Sequence, residues 1–223
     1  MRISPVNNRI FKQSFKANHK KENTIAILGS SKSNDHILPD IIKVSRIVPT
    51  IIARGMNIVT GCGTRGIMGQ AHYTAADYSK KDSNGKPIQN LAIIKKPLWG
   101  DEDLDNCEVI DEATSENERI TKFIENADSF LIFPGGPATM LEATSVISHN
   151  HYAENKKKVI LVGREYFKSL DEQYLKIYEM GLLKVDPKEL YVLVDSVEEI
   201  ETELGLRLEH DTENDDIDSC EAQ

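Results

Sequence analysis

The stretch Pro134-Gly135-Gly136-Pro137-Ala138-Thr139-Met140-Leu141-Glu142 carries the most chemical content in this 223-residue chain. Two adjacent glycines allow φ > 0 and leave bare backbone against which a ligand can lie. A helix opening at Thr139 would present free N–H groups and a partial positive charge, which suits a phosphate. Glu142 follows Thr139 at capping-box spacing, which would make the glutamate a helix cap and nothing more. Two other turns have a similar character. Gly29-Ser30-Ser31 has hydroxyls that would touch a ligand or simply turn and cap the chain, or do both. Gly61-Cys62-Gly63-Thr64-Arg65-Gly66-Ile67-Met68-Gly69 is a glycine cluster, weak by itself and stronger between a strand and a helix. Within it Met68 reads as core packing and Arg65 as a solvated loop charge rather than a phosphate ligand. Cys62 reads as a small filler, since no partnered His/Asp order makes it a nucleophile.

Each turn needs a strand before it and a helix after it. Short apolar runs predict strands at 24–28, 57–60, 91–94, 108–111, 129–133, 159–162 and 190–194. Helical spacing and cap signals predict helices at 37–54, 70–78, 115–127, 138–150, 167–180 and 196–204. Ser115 with Glu118, and Ser196 with Glu199, have capping-box spacing. Residues 79–90 form a polar loop around Asn84-Gly85. Residues 95–107 form an acidic, irregular loop with the only tryptophan, Trp99. That ring would stack on a base or, in the commoner role, anchor the loop in the core. His149 and His151 fall on different helix faces, so they make no metal pair. Strand and helix alternate about six times with short connectors. The fold expected is α/β, a Rossmann-like doubly wound and mainly parallel sheet with helices on both faces. In such sheets ligands bind at the carboxyl ends of the strands, where all three turns lie.

Pro134, Gly135, Gly136, Thr139 and Glu142 resemble the P-G-G-x-G-T-x-x-E signature of the LOG family, the cytokinin riboside 5′-monophosphate phosphoribohydrolases, which also circulate under the name lysine decarboxylase. Ala138 stands at the third glycine, and Leu141 where many members have a second glutamate. Gly61 to Gly69 is similar to the family's G-G-G-x-x-G-L-M-G segment, with Cys62 for the middle glycine and Ile67 for leucine. Asn117-Glu118-Arg119-Ile120 is similar to its M-H-E-R-K segment, where Glu118 and Arg119 match while Asn117 and Ile120 replace histidine and lysine. The resemblance covers roughly residues 24–204. It implies hydrolysis of the N-glycosidic bond of a nucleoside 5′-monophosphate, releasing ribose 5-phosphate and a free base, adenine or N6-modified adenine, in cytokinin biosynthesis. It also implies a homodimer or higher homo-oligomer. Arg119 and Glu142 become the catalytic residues, and Gly29, Ser30, Ser31, Gly61, Gly63, Gly66, Pro134, Gly135, Gly136, Pro137, Ala138 and Thr139 the substrate-binding ones. No metal and no cofactor are expected, and nothing marks a pyridoxal-binding lysine.

The physical case for that chemistry is electrostatic. Breaking a C1′–N bond passes through an oxocarbenium-like ion. A carboxylate at ~4 Å and an effective dielectric of about 20 stabilises it by about 4 kcal/mol, on the order of a thousandfold in rate. Glu142 could also orient or deprotonate the attacking water. The alternative is a non-catalytic carrier of a nucleotide or of a molybdenum-cofactor-like ligand, which has less reason to keep the Arg119/Glu142 pair.

Composition bounds the rest. The net charge of −9 argues against nucleic acid as a partner. No apolar run suits a membrane span and no signal peptide is visible. Cys62, Cys107 and Cys220 are odd in number and far apart in sequence, fitting neither a disulfide framework nor a metal spacing, which points to the cytoplasm. Residues 1–23 read as a basic, disordered tail, 24–207 as one nucleotide-binding domain, and 208–223 as an acidic, disordered tail.

Overall fold

The computed structural model describes residues 21–207. The chain runs β1 (Thr24–Leu28), α1 (Leu38–Ala53), β2 (Asn57–Thr60), α2 (Gly66–Tyr78), β3 (Asn90–Lys95), β4 (Glu108–Ala113), α3 (Glu116–Asn126), β5 (Ser129–Ile132), α4 (Pro137–Tyr152), β6 (Lys158–Val162), α5 (Arg164–Glu179), β7 (Val192–Val194) and α6 (Val197–Glu203). The strands form one sheet in the order β4-β3-β2-β1-β5-β6-β7. Every neighbouring pair is parallel. This is the Rossmann-like α/β architecture expected from the alternation of apolar runs and amphipathic helices.

The uncharged sequences of the central strands β1, β2 and β5 make this arrangement possible, because a central parallel strand is covered on both faces. All of β1 is buried, and so is most of its neighbour β5. One core lies beneath α1, α2 and α6, where Val44, Ile47, Ile51, Ile67 and Ile200 meet Ile25 and Ile27. The other lies beneath α3, α4 and α5, where Phe123, Val146, Ile147 and Phe167 meet Phe130 and Ile132.

Caps set the element ends. Ser196 and Glu199 form the expected capping box at α6. At α3 only half of the box forms. Ser115 accepts from the Glu118 N–H at 3.2 Å, while the Glu118 carboxylate takes the Thr114 N–H and hydroxyl instead. The strand expected at 190–194 starts at Val192, because the Tyr191 N–H is drawn back to the Pro187 carbonyl.

Residues 21–23, read from composition as the end of the basic tail, are tied down. Lys21 pairs with Glu108, and the Asn57 side chain and backbone N–H donate to the Glu22 and Asn23 carbonyls at 3.0 and 2.9 Å. The remainder of both charged ends, with Cys220, lies outside the described residues. No helix among the described residues is long and apolar enough to cross a membrane.

Candidate functional site

Strand order brings the three glycine turns together. They leave the carboxyl ends of β2, β1 and β5, which are adjacent in the sheet, with the reversal of winding between β1 and β5. Backbone hydrogen bonds join them. The Ser30 N–H donates to the Pro134 carbonyl at 3.0 Å, and the Ile67 N–H donates to the Ser30 carbonyl at 2.8 Å. The second bond requires glycine at 66. Gly66 has φ +62°, and a Cβ there would stand 2.3 Å from the Ser30 carbonyl oxygen. Gly135 is similarly constrained, since its Cβ would meet the Thr139 hydroxyl at 2.2 Å.

Arg119 reaches the same edge from α3. Its Nε donates to the Ile93 carbonyl at 3.2 Å, and its guanidinium lies 5.6 Å from the Phe123 ring centroid. Gly61 approaches so closely that a Cβ would fall 1.5 Å from Nη2. Its side chain is only 16% exposed, and Glu116 one turn earlier sits 3.8 Å from Nη1. Glu116 in turn holds Lys95 at 2.7 Å. Glu142 comes from α4 and is 8% exposed. Burial pushes its carboxyl up to about 7, against a downward pull from the Arg119 charge and a further push from Glu116. A carboxylate with this pKa exchanges protons readily at neutral pH, as a general base or acid must.

Two clefts open beside the joined turns. One is lined by Ser31, Gly61, Gly63, Met68, Trp99 and Arg119, together with Lys95, Asp101 and Glu102. The other, about 480 Å³, runs past Ser30, Pro134, Gly135, Gly136 and Tyr166. Gly29 is on neither wall. It is buried against Ile67, whose Cγ2 would lie 2.8 Å from a Cβ at 29, so its small size serves packing. Glu142 too forms no part of either wall. A cleft of about 540 Å³ at the amino ends of the strands, by Asn57 and Gln89, meets none of the glycine turns. Among the described residues no group of three or more His, Cys, Asp and Glu is placed to hold a metal ion.

Several expectations change. The helix after β5 begins at Pro137 with Gly136 as its cap, so Thr139 does not open it. Proline suits the first helical position because its missing N–H would be unpaired there anyway. The Thr139/Glu142 capping box therefore does not exist, and capping does not account for Glu142. Ala138 lies in the first helical turn and is exposed, so its methyl meets no strain. Met68 lines the cleft rather than the core, with Cε 3.6 Å from where a Gly63 Cβ would be. Trp99 does not anchor its loop in the core, since it is 73% exposed.

Cys62 and Cys107, remote in sequence, share one small buried cluster with Ala92 and Ile94. Hydrogen bonding to Cys107, then burial, push the Cys62 thiol up, consistent with a filler and not a nucleophile. Cys62 also has φ 53°, the left-handed region that glycine occupies more cheaply. The Ser30 hydroxyl makes a turn contact, accepting from the Lys32 N–H at 3.0 Å, and Ser30 also lines the second cleft, whereas Ser31 lines the cleft with Arg119. Lys95, Glu116 and Tyr166 were not anticipated. Tyr166 donates to the Gly135 carbonyl from α5. Only Glu116 left a local trace, three residues before Arg119.

The family model described as "Possible lysine decarboxylase" matches residues 68–204. A rice protein (Oryza sativa subsp. japonica) named "Probable cytokinin riboside 5'-monophosphate phosphoribohydrolase LOG4" is 26% identical over 155 residues, 69% of this chain and 64% of that protein. A second, similarly named and designated LOGL3, is 24% identical over 185 residues, 79% of this chain and 80% of its own length. The chain thus spans 64% of the length of the first of these relatives. Among solved structures, the molybdenum cofactor binding protein from the phototrophic bacterium Rippkaea orientalis shares the fold. Its TM-score is 0.56 at 16% identity, over 82% of this chain and 96% of that one.

Two stability measurements check the geometry. Gly61→Ala should lower unfolding stability by about 1–3 kcal/mol in a denaturant titration, because its methyl collides with the guanidinium. Gly63→Ala, whose methyl meets only Met68 at 3.6 Å, should be near neutral. For Glu142 the folded pKa, about 7, exceeds its ordinary 4.5, so the fold favours the protonated acid. That stabilisation is full below the ordinary value and fades as pH rises through about 7. Between pH 5 and 8.5 the protein should lose about 2–3 kcal/mol more stability than Glu142→Gln. Parallel pH profiles would refute the burial of an acid at this position.

Proposed function

Because this chain belongs to the LOG family, the family whose model bears the description "Possible lysine decarboxylase", we propose that it hydrolyses the N-glycosidic bond of a nucleoside 5′-monophosphate. The products are ribose 5-phosphate and a free base, adenine or N6-modified adenine. The observation that carries the reading is the buried carboxyl of Glu142, tuned to about 7 and facing the Arg119 charge, beside three joined glycine turns. The Pro134–Gly136 turn and the first turn of α4 take the phosphate on backbone N–H groups. Ser31, Gly61 and Gly63 wall the space for the nucleoside. As C1′ becomes cationic, ionised Glu142 stabilises it and takes a proton from the incoming water. Arg119 positions that carboxylate and neutralises charge that would otherwise be buried alone.

The expected outcome for Glu142→Gln is an unchanged fold and nucleotide affinity with turnover down by about a hundredfold or more. The amide keeps the shape but neither faces a cation with charge nor accepts a proton. Arg119→Ala should lower both turnover and affinity. In the wild type kcat/KM should rise through about pH 7 as Glu142 ionises, and the Gln variant should lose that step. Base release from a panel of nucleoside monophosphates, read by chromatography beside calorimetric affinities, decides the matter. Equal rates for wild type and Glu142→Gln would remove the catalytic assignment. Binding without hydrolysis across the panel would favour a non-catalytic binding role, and a binding protein is how the Rippkaea protein that shares the fold is described.

We also propose a homodimer or higher oligomer, as the family resemblance implies. Along α4, Ala143, Val146 and Ile147 are taken up by the protein's own core. What α4 leaves outside is Leu141, 45% exposed, and Tyr152, 82% exposed. Light scattering at micromolar concentration should give at least twice the chain mass, and a monomer would end this proposal.

A further inference from the structure

Trp99 is 73% exposed and lines the cleft that holds Arg119, so its ring offers an open face to whatever enters there. The loop between β3 and β4 is well anchored. The Trp99 and Gly100 N–H groups donate to the two oxygens of Glu102 at 3.0 and 2.9 Å. The Thr64 N–H donates to the Asp101 carbonyl and the Asp103 N–H to the Cys62 carbonyl, both at 3.0 Å. Gly63 and Glu102 form an antiparallel bridge. The loop is therefore fastened along the glycine turn that carries Gly61 and Gly63, and the indole stands at the mouth of the cleft they wall. The ring is itself braced. Lys95 Nζ lies 4.5 Å from its centroid, at cation–π distance, and Lys95 is held by Glu116 at 2.7 Å. Met68, Gly61 and Gly63 line the same cleft. A cleft lined by an exposed aromatic ring, a thioether and bare glycine backbone suits a flat aromatic ligand.

We propose that Trp99 is the stacking platform for the base of the bound nucleotide, held by Lys95, and that it selects purines over pyrimidines through the larger ring overlap. The inference deepens the reading of this cleft as a nucleoside monophosphate site and rests on it. Trp99 touches the base and not the reacting bond, so it acts on affinity and choice of base and not on the chemical step. Its side chain makes no hydrogen bond in the loop, since the Glu102 contact belongs to the backbone N–H. Truncation should therefore leave the loop in place.

The chain has one tryptophan, so fluorescence excited at the red edge, where tyrosine does not absorb, reports Trp99 alone. AMP, GMP, CMP, UMP and ribose 5-phosphate are titrated against the full chain, following fluorescence and calorimetric heat together, with base release measured in parallel. AMP and GMP should quench saturably, CMP and UMP more weakly, and ribose 5-phosphate not at all. Trp99→Ala should raise Kd and KM for purine nucleotides by about ten- to hundredfold. It should leave ribose 5-phosphate affinity and kcat nearly unchanged and shrink the purine-to-pyrimidine ratio. Trp99→Phe should recover most of the affinity. If nucleotides bind and are cleaved while fluorescence and Trp99→Ala affinities stay at wild-type values, the platform is wrong and the hydrolase reading stands. If no nucleotide binds the wild type, both fall.

Discussion

The peptide unit of Ser30 is the constraint on which the rest of the site depends. Its N–H is given to the turn after β5 and its carbonyl to the turn before α2. Three loops that leave separate strands thus behave as one surface. Their relative positions follow from the hydrogen-bond register of β2, β1 and β5 beneath them, which mutual burial fixes. The Gly66 backbone makes the second bond possible, and no other residue type fits that approach. Loops are ordinarily the most adaptable part of an α/β protein. Here the joining bonds remove that freedom at the cleft proposed to hold the nucleotide, which leaves its contacts already in position.

Charge at this edge is balanced rather than neutral. Lys95, Glu116, Arg119 and Glu142 alternate in sign along a chain of neighbours, drawn from β3, α3 and α4. Glu116 divides its attention between Lys95 and Arg119, which weakens the hold of Arg119 on Glu142. Burial then prevails over that pull and the acid is protonated more easily than an exposed glutamate. A glutamate chosen for stability alone would sit in water or be fully paired. Keeping one buried and half-compensated is the kind of local conflict that marks functional positions.

Much of this was legible in the residues. β1 was bounded correctly because TIAIL is uncharged and mostly apolar and ends at Gly29. The parallel sheet followed from repeated alternation, and the α6 capping box from Ser196 and Glu199. Arg119 and Glu142 were singled out by motif, and the fold does bring their charges to bear on each other. What misled was local chemistry with two solutions. Thr139 with Glu142 had the spacing of a cap, yet Pro137 was the stronger signal, since proline needs the first helical position more than threonine needs the cap. For Trp99 two roles were open, and the commoner one, anchoring the loop in the core, is not the one taken, because nothing in a loop sequence says that Glu102 will hold its backbone and leave the ring outside. The meeting of Cys62 with Cys107 was invisible, because it depends on how the loop after β3 folds back against the turn after β2.

The early start of α4 at Pro137 also changes the donor inventory at this turn. A helix N-terminus ordinarily leaves several N–H groups unpaired within its first turn. Pro137 has none to give, and the Met140 N–H is already spent on the Gly136 carbonyl at 3.1 Å. The helix proper therefore offers an anion the amides of Ala138 and Thr139 alone. An amide at 138 donates equally well from alanine or glycine, so the residue identity at that position is free to drift while its proton is not. The proline makes the turn frugal, and an anion with three oxygens seated there must complete its shell from outside α4.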